Sequence, residues 1–141
     1  VTWNANGILT KLSAFEVILN SQNIDICLLT ETHFTNEHKN VLKLKNYKVY
    51  SAIFPENTPR GGSSLIIKDT IDHFEFGKVE TNEIQMTIVQ INSLKQKLHV
   101  GAVYCSPSYR IKKESFKNLF LDAGERFILG GGFKAKHVDW G

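Results

Sequence analysis

Four polar positions follow apolar runs in this chain, and their residue types suit phosphate chemistry. Asn4 follows Val1-Thr2-Trp3, Glu31 follows the run ending at Leu29, Tyr104 closes the run that starts near Lys97, and a loop opens after Leu129. Brought together, these strand ends would supply an amide, a carboxylate and a phenol. A hard cation such as Mg²⁺ takes oxygen ligands, often only one or two carboxylates with water filling the rest. A cation so held polarises a phosphoryl oxygen, and neutral donors such as Asn and Tyr hold phosphate oxygens without repelling them. The last loop, Gly130-Gly131-Gly132-Phe133-Lys134-Ala135-Lys136-His137, carries neither carboxylate nor amide. Arg60-Gly61-Gly62 could approach a phosphate, and a tight turn explains it equally well. His33, His73, His99 and His137 read as ordinary loop and strand histidines.

Placing such groups requires rigid strands behind them. Val1–Trp3 reads as a short strand, and Asn4-Ala5-Asn6-Gly7 as a turn, because Asn and Gly tolerate left-handed backbone angles. From about Thr10, residues Leu12, Phe15, Ile18 and Leu19 recur at helical spacing. Ile24–Leu29 is nearly continuously apolar, as in a strand covered on both faces. Val41–Asn46 reads as a connection, with some character of a sheet edge. Tyr47–Ile53, Ser63–Ile67, His73–Val79, Glu83–Ile91 and Lys97–Tyr104 read as strands, with a hairpin signal at Asn92-Ser93. Phe116, Leu119, Phe120 and Ala123 mark a second helix, stopped at Gly124. Arg126–Leu129 reads as a short buried strand running into a glycine turn. Two helices and about eight strands predict an α/β sandwich.

Composition sets the outer limits. The 141 residues fit one domain, and 42% hydrophobic content suffices for a core. No apolar run approaches a membrane span, and no signal-peptide pattern opens the sequence, so no membrane partner is expected. Cys27 and Cys105 lie in or beside apolar runs and read as reduced core thiols; their spacing matches no zinc pattern. A net charge of +3 tolerates a polyanionic partner without identifying one. Lys11, Lys39, Lys43 and Lys45 are scattered and read as solvated surface. Val1 starts a strand with nothing before it, and Asp139-Trp140-Gly141 brings no closing element, so a piece of a larger domain is expected.

The combination of motifs is more specific than any one. Trp3-Asn4-Ala5-Asn6-Gly7, Leu29-Thr30-Glu31-Thr32-His33-Phe34, Arg60-Gly61-Gly62, Val103-Tyr104-Cys105-Ser106-Pro107 and Gly130-Gly131-Gly132-Phe133-Lys134-Ala135-Lys136-His137 occur in this order. The order resembles the apurinic-endonuclease-like domain of non-LTR retrotransposons, most closely jockey-like elements of insects, within the endonuclease/exonuclease/phosphatase superfamily. It runs over essentially all 141 residues, so 1–141 is expected to be part of one such domain.

The resemblance implies a four-layer α/β sandwich, two β-sheets face to face with helices outside, truncated here at the C-terminus. It implies Mg²⁺-dependent nicking of target DNA, the freed 3′-hydroxyl priming a reverse transcriptase domain of the same polyprotein. A monomer acting in the nucleus is expected. By motif, Asn4 matches the residue facing the scissile phosphate, Glu31 the metal-binding glutamate, and Tyr104 the phosphate-supporting tyrosine. Asn6, Arg60 and His137 match positions expected at DNA. The family loop normally reads Gly-Asp-Phe-Asn, and here Gly132 and Lys134 replace its Asp and Asn. Glycine has no group to move a proton, and lysine cannot accept a hydrogen bond. Losing acid–base help typically costs about 10²–10⁴-fold in rate, so an impaired or inactive copy is expected. The family's later histidine segment lies beyond this sequence, and with it strands of the second sheet, so an exposed sheet edge is expected.

Three further readings remain open at this point. The chain is a non-catalytic remnant that grips DNA or protein, a pseudogene-derived fragment without function, or a superfamily phosphomonoesterase. The Trp-Asn-Ala-Asn-Gly and Lys-His-Val-Asp-Trp-Gly flavour favours the retroelement branch over the last.

Overall fold

A computed structural model describes residues 1–92 and 96–133, the side chains of 39–41 aside. The strands form two four-stranded sheets, each drawn from a continuous part of the sequence. The first sheet holds β1 (Thr2–Asn4), β2 (Ile26–Thr30), β3 (Tyr47–Ala52) and β4 (Ser63–Lys68), in the order β1-β2-β4-β3. The second holds β5 (His73–Glu80), β6 (Ile84–Ile91), β7 (Leu98–Cys105) and β8 (Phe127–Gly132), in chain order. β1 runs parallel to β2 and β8 parallel to β7, while the other four pairs of neighbouring strands are antiparallel. Each parallel pair needs a crossover, and a helix supplies it: α1 (Leu12–Ser21) after β1, and α3 (Lys113–Ala123) after β7.

Side-chain alternation along the strands builds the layers. Cys27 and Leu29 of β2 turn outward and pack with Phe15 and Leu19 of α1. Leu28 turns inward and joins Leu65, Ile67, Val89, Val100 and Ala102 between the sheets. On the far side Met86, Ile88, Val103 and Cys105 meet Leu119 and Ala123 of α3. The result is helix, sheet, sheet, helix, the expected four-layer sandwich. Both cysteines are buried and free.

The structure corrects three local expectations. The connection expected at Val41–Asn46 is preceded by a third helix, α2 (Asn36–Val41), set up by a capping box between Thr35 and His38. Histidine at that position replaces the usual Glu or Gln, so the common sequence pattern is absent. α1 begins at Leu12, after a single 3-10 turn at Leu9–Lys11. The last strand is not a buried run ending in a glycine turn. Phe127 and Ile128 are exposed at 37% and 55%, and the three glycines lie inside β8. Among the described residues β8 is the outer strand of its sheet, which accounts for the exposure.

Candidate active site at the shared end of the two sheets

One end of the sandwich carries a matched row of residues from each sheet. Across the first sheet, Asn4 pairs with Thr30, Thr30 with Ser63, and Ser63 with Ala52. Across the second, Glu80 pairs with Gln85, Gln85 with Tyr104, and Tyr104 with Gly132. The rows are stitched together. The Ser63 hydroxyl donates to Gln85 O at 3.0 Å, the Gly62 N–H to Gln85 Oε1 at 3.1 Å, and the Ile53 N–H to Glu80 Oε1 at 2.9 Å. The space between the sheets, apolar at Ile67 and Ile91, turns polar here with buried Thr30, Ser63, Gln85 and Thr87. Gln85 was legible as a polar residue interrupting an apolar run, and its role emerges only from the sheet pairing.

Beyond this row, Glu31 continues from β2 between two turns. Gly7 N–H donates to Glu31 O at 2.8 Å, and Glu31 N–H donates to Gly62 O at 2.9 Å. His33 N–H donates to Gly61 O at 3.1 Å. Glu31 and His33 both adopt left-handed backbone angles, φ 53° and 58°. Such angles in non-glycine residues cost on the order of 1–3 kcal/mol and cluster at functional sites.

Gly61 and Gly62 share that left-handed conformation and have no room for a side chain. A Cβ on Gly61 would lie 2.8 Å from Gln85 Oε1 and 2.9 Å from the Tyr104 ring, and one on Gly62 would lie 2.8 Å from Thr32 Oγ1. Tyr104 is thereby clamped, 7% exposed, between the glycine turn and β8. Burial pushes its phenol above the ordinary value, and Glu31 and Cys105 push it the same way. The hydroxyl therefore stays protonated and able to donate.

Asn4 is exposed, and its Oδ1 accepts the Asn6 N–H at 3.0 Å. A backbone N–H only donates, so this bond fixes which end of the amide is oxygen. Asn6 contributes to the site through that N–H, from a left-handed φ of 43°. Arg60 sits at the rim beside the glycines, its guanidinium carbon 3.8 Å above the Phe54 ring centre.

Gly132 completes the row. A Cβ there would make ordinary contacts, 3.6 Å to Tyr104 Cδ2 and 3.9 Å to Thr30 Oγ1. Its position therefore looks onto both sheets at once. The structure places Asn4, Glu31, Tyr104 and Gly132 at this one end of the sandwich. Lys134 and His137 lie outside the described residues. Among the described residues, no group of three or more His, Cys, Asp or Glu side chains gathers in a metal-holding arrangement. No described helix is long and apolar enough to cross a membrane.

The model of the Endonuclease/Exonuclease/phosphatase family matches residues 1–141. The chain belongs to that family. Within it, the chain is 34% identical over 139 residues to the RNA-directed DNA polymerase from mobile element jockey of Drosophila melanogaster, covering 99% of this chain and 15% of the relative. It is 33% identical over 141 residues to a probable RNA-directed DNA polymerase from transposon BS of the same organism, again 99% against 15%. The chain thus spans 15% of the length of these curated relatives. Among solved structures, the endonuclease domain of TRAS1, a telomere-specific non-LTR retrotransposon, superposes with a TM-score of 0.72 at 18% identity, covering 99% of this chain and 62% of that one. That likeness establishes the fold.

Proposed function

We propose that this chain is the endonuclease part of a jockey-like retrotransposon polyprotein, built to nick target DNA and impaired in this copy. The convergence of Asn4, Glu31 and Tyr104 supports the first half of the reading. Gly132 carries the second, because it faces both sheets at the site and offers no proton acceptor.

Each residue has a task that its geometry permits. Asn4 Nδ2 donates to a phosphate oxygen, and the protonated Tyr104 hydroxyl donates to another. Glu31 supplies one carboxylate, and Asn4 Oδ1 keeps a lone pair beyond the one taken by Asn6. This all-oxygen set with a single carboxylate fits a magnesium ion that retains most of its water. When bound, that ion supplies positive charge against the developing charge on the phosphate. At position 132 the family aspartate would orient or deprotonate water, and Gly132 has no group to do so. Lys134 adds a cation where the family has a neutral amide. Partnership with DNA and with a reverse transcriptase domain, action as a monomer and a nuclear location follow from the same reading.

A supercoiled-plasmid nicking assay with Mg²⁺ tests it. The unaltered chain is expected to be silent or nearly so. G132D/K134N, extended to the length of a complete endonuclease domain, is expected to gain on the order of 10²–10⁴-fold and to lose the gain with E31A. Clear nicking by the unaltered chain, abolished by E31A, would overturn the impairment. Salt-sensitive DNA binding without nicking in the restored form would favour a binding remnant instead.

A further inference from the structure

The turn that presents Asn4 is held in place by a side chain outside the family motifs. Lys11 closes the 3-10 turn ahead of α1, and its Nζ donates to Ala5 O at 2.7 Å and reaches Asn6 O at 3.5 Å. The same ammonium lies 5.9 Å from the centre of the Trp3 ring. Among the described residues it has no carboxylate partner, and the residue is exposed. Surface lysines ordinarily leave their head group in water. Lys11 instead folds back onto the two carbonyls between Asn4 and Gly7.

Two consequences follow from that placement. The first is mechanical. Lys11 holds the Ala5 carbonyl, the Asn6 N–H of the same peptide unit holds Asn4 Oδ1, and the Asn4 amide is fixed as a result. The second is electrostatic. An ammonium has three donors; Ala5 O takes one and Asn6 O lies within reach of a second, so at least one donor and a full charge remain at the exposed face of the turn that carries Asn4. Among the described residues no carboxylate lies within ion-pair distance of that ammonium.

We infer that Lys11 binds a DNA backbone phosphate adjacent to the one facing Asn4, and positions Asn4 through the turn. This rests on the reading of the site as one for DNA phosphates. It gives a lysine read as plain surface a place in substrate binding.

Anisotropy titrations of a labelled DNA duplex over a salt series test the idea, using the unaltered chain, K11R, K11M, K11Q, N4A and N4A/K11M. A phosphate contact contributes about one to the slope of log affinity against log salt. K11M and K11Q are expected to weaken binding and lower that slope by about one, while K11R keeps it. N4A is expected to weaken binding with the slope intact. The N4A/K11M loss is expected to fall short of the sum of the single losses, because the two side chains act through one turn. K11Q retains a polar tip, so poor folding of K11M would still leave the slope measurable. An unchanged slope in K11Q or K11M overturns the inference while leaving the site reading intact. If the unaltered chain shows no salt-dependent binding, the site reading falls and this one with it.

Discussion

Two adjacent glycines in β8 show how unlike neighbouring positions can be. A Cβ on Gly131 would lie 1.9 Å from Val103 O, and its φ is 145°. Only glycine fits there, whereas Gly132 has ordinary space around it. G131A is expected to destabilise by at least about 2 kcal/mol through overpacking and backbone strain. G132A is expected to stay within about 1 kcal/mol of the parent. Urea denaturation of both variants checks the contrast, and equal stability would remove the steric account. The same contrast makes restoring the aspartate at position 132 a change of chemistry rather than of shape. The buried thiols give a pH signature. Burial raises Cys27 and Cys105 to about 11, with the chain's amino terminus pulling Cys27 slightly back. The folded state therefore holds protons that the unfolded chain releases near the ordinary thiol range. This contribution to stability is present below that range and is lost as pH climbs through about 11. Denaturation midpoints taken from pH 8 upward are expected to fall, and to fall less in C27A/C105A relative to its own value at pH 8.

At the scale of elements, α1 shows what sequence makes legible. Phe15 and Leu19 announce its buried face at helical spacing, and both pack on β2. What the spacing does not show is how the helix end is tied down. The Tyr47 hydroxyl of β3 lies 2.9 Å from Leu19 O and 2.8 Å from Ile24 O, donating to one at a time. Y47F removes that donor from a buried pair of carbonyls and is expected to cost about 1–3 kcal/mol. Thermal melts with unchanged far-UV dichroism would register it, and an unshifted melt would show that water replaces the phenol. The converse case is α2, whose capping histidine hides it from a search for acidic or amide caps. β8 was misjudged because hydrophobicity alone cannot separate an outer strand from an inner one. Phe127 and Ile128 look buried in one dimension and stand at a sheet margin among the described residues.

For the molecule as a whole, the strands and the helices flanking the site could be read from apolar runs, because those runs face defined layers. The convergence of strand ends was legible only as a hope, since nothing local states that Thr30 and Gly132 face each other across two sheets. That meeting depends on the pairing order and on glycines that allow close approach. The first sheet uses residues 2–68 and the second residues 73–132, so the division between sheets is also a division in time during synthesis. A ribosome adds roughly 5–20 residues per second. The four described strands of the first sheet are made seconds before those of the second, and Leu28, Leu65 and Ile67 then lack the cover that Val89, Val100 and Ala102 later give. Glu31 belongs to the early half and Tyr104 to the late one. The nascent protein therefore passes through an interval of sticky, chemically empty half-structure. A chaperone acting on it has its clearest target in the inner face of the first sheet, before Tyr104 has joined Glu31.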